Sequence, residues 1–272
     1  MSADRSVSER FPWFSPAQLS QPPLALVLTT LAIVASETAI FYGSVELALM
    51  GHLVTFLACL IVPFYFRNQL PLLQMLALLP LFRLINLGMP AFVDFTLLFL
   101  PVIYAPMIPA IYLVLRSQGI RLGTNPRALV LFFVPILALA ALFGWLEYQI
   151  ITPEALISDW STEQLLLLVL VQVGFVSLVE EVLFRGVLQR GLAAYVGRWG
   201  GVLFASALFG VMHSIYGSGL EIIFAAVLGL VFGVIYEWTN SLGLVIVFHG
   251  VLNVLLFGVY PIHGVPLEII PM

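Results

Sequence analysis

The sequence has no lysine; all ten of its Lys/Arg cations are arginines. Charged residues make up 9% of its 272 positions, against about 25% in a soluble domain. That scarcity excludes a large soluble domain. The missing lysines also remove the basic patch with which nucleic acid is bound, so no nucleic-acid partner is expected. A single cysteine, Cys59, excludes an intrachain disulfide. Internal repeats and low-complexity segments are absent as well. Residues 1–23 carry no short apolar region with a cleavage site after it, and no cleaved signal peptide is expected.

What remains is apolar. The hydrophobic share is 62% and the mean hydropathy is +1.12. With about 20 residues per crossing as the template, nine runs stand out, at approximately 24–43, 47–66, 70–88, 92–115, 128–148, 164–184, 201–216, 220–238 and 241–260. The expected fold is all-α and polytopic, with about eight or nine transmembrane helices around a polar cavity. The chain divides into a cytoplasmic tail (1–23), a first helical group (24–148), a second (161–260) and a C-terminal tail (261–272). Pro101, Pro106 and Pro109 predict kinks or a re-entrant piece in the fourth run.

The arginines orient this bundle. With nine crossings, Arg5, Arg10, Arg67, Arg116, Arg121, Arg127, Arg185, Arg190 and Arg198 fall on one side. The other side receives none of these, but carries Glu154, Asp159 and Glu163. The positive-inside rule then predicts a multi-pass protein of the cell membrane with a cytoplasmic N-terminus. Trp13, Phe14, Trp145, Tyr148, Trp160, Tyr195, Trp199, Tyr216, Trp238 and Tyr260 flank the runs and suit an interfacial belt.

Ionisable groups at membrane depth are costly and call for a reason. Glu46 and Asp94 sit near run ends and read as interfacial. Glu37, His52 and Arg83 read as structural partners of one another, since no spacing pattern links them. The second group of helices is different. Glu181 and Arg185 are four apart and share a helical face, whereas Glu180 is turned about 100° away. Phe209 and His213 lie one turn apart in the seventh run; His249 and Asn253 do so in the ninth. At about 1.5 Å per residue these groups reach one level of the bundle, expected to open to the cytoplasm. Glu221, Glu237 and His263 lie near run ends or in the tail and read as surface groups.

Glu-Glu-x-x-x-Arg, then Phe-x-x-x-His, then His-x-x-x-Asn, on successive hydrophobic runs over residues 164–260, resembles the motif set of the CPBP intramembrane proteases, which include the type II CAAX prenyl proteases. The resemblance implies helices around a conical cavity that holds a water and admits a peptide. It assigns Glu180 and His213 to water activation, since a group that takes a proton from water must lie within hydrogen-bond reach. Asn253 has N–H to donate and is no base, which suits an oxyanion site, with His249 beside it. Glu181 and Arg185 are the supporting ion pair, and Phe209 is wall packing. Glu180, His213 and His249 would also make a three-ligand zinc site with an open position. Water activation without a metal is favoured, because Glu180 is poorly placed to be ligand and base at once.

The expected activity is thus that of a membrane endopeptidase on a membrane-associated peptide, prenylated in the best-known members. Its partners are that substrate and the bilayer. Two rivals use the same residues: a transporter or proton relay, which needs polar groups spread over the full depth, and an inert scaffold on the protease fold.

Overall fold

The computed structural model describes residues 24–91 and 96–263. The N-terminal tail with Arg5, Arg10, Trp13 and Phe14, the Asp94 segment and residues 264–272 lie outside the described residues. Among the described residues, nine helices are long and apolar enough to cross a membrane: α1 (Leu24–Phe41), α2 (Val45–Tyr65), α3 (Leu70–Gly88), α4 (Phe99–Gln118), α5 (Pro126–Ile151), α6 (Thr162–Val196), α7 (Arg198–Tyr216), α8 (Gly219–Thr239) and α9 (Leu242–His263). The all-α polytopic architecture is therefore as expected.

Local chemistry accounts for the departures from the expected boundaries. α4 breaks between its Phe99–Tyr104 and Met107–Gln118 pieces, at Ala105–Pro106. Proline supplies no N–H for the helical ladder, which explains the break. α6 begins one turn beyond the loop because the Ser161 hydroxyl accepts the Gln164 N–H at 3.4 Å. It then continues to Val196, well past the apolar run that ends near residue 184. Two π-helical stretches, Gln172–Ser177 and Val182–Gln189, bracket the Leu178–Glu181 turn. Such insertions are rare and concentrate at functional sites.

Two apolar cores hold the bundle. One joins α3, α4, α6 and α7 through residues such as Leu72, Leu79, Met107, Leu183 and Leu208. The other joins α5, α8 and α9 through Ile136, Phe232, Phe248 and Leu252. Glycines set the closest approaches. A Cβ on Gly210 would lie 2.5 Å from the Ile222 carbonyl oxygen, and one on Gly250 would lie 3.0 Å from Val173 Cα. Small residues let membrane helices meet at this range, and these two draw α7 onto α8 and α9 onto α6. The α5 face bearing Val130 (78% exposed), Leu131 and Val134 is left to lipid. Trp160, Trp199 and Trp238 are exposed as an interfacial belt requires, but Tyr148 and Tyr195 are buried, contrary to expectation.

The two ends of the bundle differ. At the arginine-rich end the α4–α5 and α8–α9 connections are bonded together: Leu242 N–H donates to the Gly123 carbonyl at 3.0 Å, Asn125 N–H to that of Asn240 at 3.2 Å, and the Tyr236 hydroxyl accepts the Gly123 N–H at 3.0 Å. Arg190 donates to the Arg121 carbonyl and to Asn240 Oδ1. This end is laced shut.

Candidate active site

A cavity of about 680 Å³ lies between the helices. Glu180, His213, His249 and Asn253 all line it. α6, α7 and α9 thus bring the four residues together, as their depths suggested. The exposed residues Thr96, Glu154 and Ser158 also line the cavity. They belong to the connections at the arginine-free end, so the mouth is there. The expected opening at the arginine-rich end is corrected. α6 extends so far beyond Arg185 that Glu180 sits near its middle. Below it the bundle is filled by Arg185, Phe184, Phe209 and Phe232, all nearly inaccessible.

Glu181 is fully buried and anchors the site. Arg185 Nε lies 3.1 Å from its Oε2 and Nη1 donates to Oε1 at 3.2 Å, which is the expected pair. The guanidinium also donates to the Gly229 carbonyl at 3.0 Å and lies 4.6 Å from the centre of the Phe209 ring. Phe209 is wall and cation-π partner. Helical spacing does not reveal a further contact between helices: His249 Nδ1 lies 2.8 Å from Glu181 Oε1. With an ionised Glu181, Nδ1 carries the proton, because a carboxylate can only accept. The ring is stacked on Phe232 with centroids 5.2 Å apart, and its Nε2 is turned toward Glu180, 3.8 Å from Oε2.

Glu180 is left partly accessible, with 12% of its side chain exposed. One oxygen is engaged: the Tyr104 hydroxyl donates to Oε1 at 2.5 Å. Tyr104 went unnoticed in the sequence, since a tyrosine in a proline-broken helix has no distinguishing spacing. Oε2 remains toward His249 and the cavity. The His213 ring is set in turn by the residue one turn before it. Its Nδ1 lies 2.8 Å from the Phe209 carbonyl oxygen. A carbonyl only accepts, so Nδ1 donates, and in the neutral ring Nε2 is left as an acceptor. Asn253 is 6% exposed and lines the cavity.

Glu180, His213 and His249 were also weighed as a three-ligand zinc set, the alternative to water activation without a metal. Among the described residues no three His, Cys, Asp or Glu side chains converge as metal ligands. Two further carboxylates were not anticipated at the site. Glu147 of α5 lines the cavity with 6% exposure. Glu221, expected at the surface, is fully buried at 0%: it sits in the first turn of α8, which packs inward, and proximity to a run end says nothing about the face presented. Glu237 is half-buried against Arg198 and His263 is exposed, in keeping with their reading as surface groups.

The first three helices reach the site from behind. Arg83 Nε and Nη2 donate to the two oxygens of Glu37, each at 2.8 Å, and His52 Nε2 lies 3.1 Å from Glu37 Oε1. These three were expected to pair with one another. They also grip the backbone around His213: Arg83 donates to the Met212 carbonyl and Ser214 donates to Glu37. Glu46 is exposed at the start of α2, as an interfacial carboxylate should be.

Glu180, His213, His249 and Asn253 thus gather around one cavity, the grouping that hydrolysis at a single site requires. Residues 162–255 match the family model described as type II CAAX prenyl endopeptidase Rce1-like. No curated protein and no solved structure matches the chain. The matched stretch carries Glu180, His213, His249 and Asn253, and over it the chain is similar to the CAAX/CPBP family.

Proposed function

We propose that this protein hydrolyses a peptide bond in a membrane-associated substrate, with a water activated by Glu180 and His213. The observation that carries the reading is that Glu180 and His213, lining one cavity, each keep one acceptor that the hydrogen bonds fixing them do not use. Glu180 Oε2 and His213 Nε2 are what remain once Tyr104 occupies Oε1 and the Phe209 carbonyl occupies Nδ1. A water held between them loses a proton to Glu180 as its oxygen adds to the scissile carbonyl carbon. The carbonyl oxygen becomes an oxyanion, to which the Asn253 amide donates. The His249 Nε2 donates as well when the ring carries its second proton. Glu180 then passes the proton to the leaving amine as the C–N bond breaks, leaving a carboxylate and an amine. This sequence needs no metal.

The substrate side follows from two facts. The positive-inside rule favours a cytoplasmic position for the arginine-rich end, and the exposed residues of the cavity lining belong to connections at the other end. The preferred substrate is thus a peptide or membrane-protein segment presented from the extracytoplasmic side. A prenylated, cytoplasmically presented substrate is the second reading, favoured by the description of the matched family.

The test is hydrolysis of a fluorogenic membrane-peptide library by purified, chelator-treated protein. Activity should persist without bound metal, and Glu180→Gln or His213→Ala should lower it about 10²–10⁴-fold while the protein still unfolds at its normal temperature. Undiminished hydrolysis by folded variants would overturn the assignment, and activity strictly proportional to bound metal would overturn the metal-free mechanism.

A further inference from the structure

The two buried arginines among the described residues are each committed, Arg83 to Glu37 and Arg185 to Glu181. Glu147 and Glu221 have no such cation. Their positions place them side by side. Phe143 of α5 and Phe224 of α8 have ring centroids 6.3 Å apart. Glu147 follows Phe143 by one turn and Glu221 precedes Phe224 by about one turn. Because the two helices run in opposite directions, both steps lead toward the mouth. Tyr216, at the end of α7, lines the cavity together with Glu147.

Both carboxylates are deprived of donors. Glu147 Oε2 and both carboxylate oxygens of Glu221 are buried with no hydrogen-bond partner. So is Oε1 of Gln172, which is 1% exposed and also lines the cavity. A buried acceptor without a donor costs about 1–3 kcal/mol, more when charged. Glu147 and Gln172 line the cavity and Glu221 is buried outside its lining, so this side of the cavity lacks donors and positive charge. A metal ion is a poor fit, since no third His, Cys, Asp or Glu joins the pair. An organic cation fits, because guanidinium and ammonium groups donate several hydrogen bonds to paired carboxylates.

We propose that Glu147 and Glu221 form a cation-accepting subsite of the cavity that takes a guanidinium or ammonium group of the substrate peptide. Glu147 faces the cavity and meets the cation; Glu221, behind it, supplies the second negative charge. The subsite rests on the peptidase reading for its occupant, and its chemistry can be tested apart from that reading.

The first experiment compares peptides with arginine or its neutral isostere citrulline at each position around the scissile bond. At one position the arginine peptide should have a kcat/KM at least tenfold higher, and Glu147→Gln, Glu221→Gln or both should bring that ratio close to one. The second uses the full-length Glu180→Gln protein, in which hydrolysis is expected to be strongly reduced, with hexylguanidinium and the neutral hexylurea as probes. Hexylguanidinium alone should raise the unfolding temperature, and adding the two glutamine substitutions should abolish the rise. Equal rates for arginine and citrulline peptides at every position, or equal stabilisation by both probes, would overturn the subsite and identify the pair as carboxyls that satisfy each other by sharing a proton. Stabilisation by hexylguanidinium in a protein that cleaves no peptide would leave the subsite standing and remove the peptidase reading.

Discussion

Arg83 holds both oxygens of Glu37 and also the carbonyl of Met212, the residue immediately before His213. Ser214, immediately after it, donates to the same Glu37. A helix pair with no recognisable motif thereby fixes the backbone on both sides of a candidate catalytic histidine. The arrangement is almost wholly buried, with Glu37 at 1% and Arg83 at 2% exposure.

Removing one member leaves its partner as an uncompensated buried charge, which costs about 3–5 kcal/mol. Arg83→Met should therefore lower the unfolding temperature and the activity together, and the double variant Glu37→Gln/Arg83→Met should recover part of the stability. If His213 is positioned through this network, the double variant will remain low in kcat after its stability has recovered. Thermal unfolding in detergent and steady-state kinetics on the same samples check both outcomes.

Tyr104 is predicted to matter through one hydrogen bond. Its hydroxyl donates to Glu180 Oε1 at 2.5 Å, and Tyr104→Phe removes that donor without creating a large cavity. A bond to a charged group is worth about 1.5–3 kcal/mol. Activity should fall by about tenfold to a hundredfold, chiefly in kcat, with the unfolding temperature little changed. An unaltered kcat would show that Tyr104 does not hold the carboxylate that takes the proton.

Glu181→Gln separates support from chemistry. The carboxylate serves Arg185 and His249 at once, so neutralising it leaves Arg185 buried at 1% exposure without its counter-charge. The expected result is a loss of stability of about 3–5 kcal/mol, larger than that for Glu180→Gln. Denaturation of the two variants side by side measures the difference. Equal stability would mean that Glu181 is not the residue holding this part of the bundle together.

The orientation can be read with single cysteines. Cys59 is 3% exposed and the sole native cysteine, so a Cys59→Ser background is silent. Ser158 lines the mouth, and Ser117 is exposed near the arginine-rich end. A membrane-impermeant maleimide applied to intact cells should label Ser158→Cys at once and Ser117→Cys only after lysis. The opposite pattern would place the mouth in the cytoplasm and favour the prenylated substrate.

Much of this was legible along the chain. Hydropathy sets the number of candidate crossings, because only closed structures satisfy the backbone in lipid; nine runs were read, and nine helices among the described residues are long and apolar enough to cross. The helical period put Glu181 with Arg185 and turned Glu180 aside. The ordered polar pairs on three helices were enough to bring Glu180, His213, His249 and Asn253 to one cavity. What only the tertiary structure decided involves partners on different helices. The Glu181–His249 contact, the Tyr104 hydroxyl on Glu180, the grip of Glu37 and Arg83 on the His213 turn and the Glu147–Glu221 pair all join residues distant in sequence. Helical period says which side chains share a face but not which helix that face meets. The mouth was expected at the arginine-rich end, but depth along a helix does not say at which end a cavity opens; the exposed residues of the cavity lining lie on the connections at the other end, which is a matter of tertiary packing.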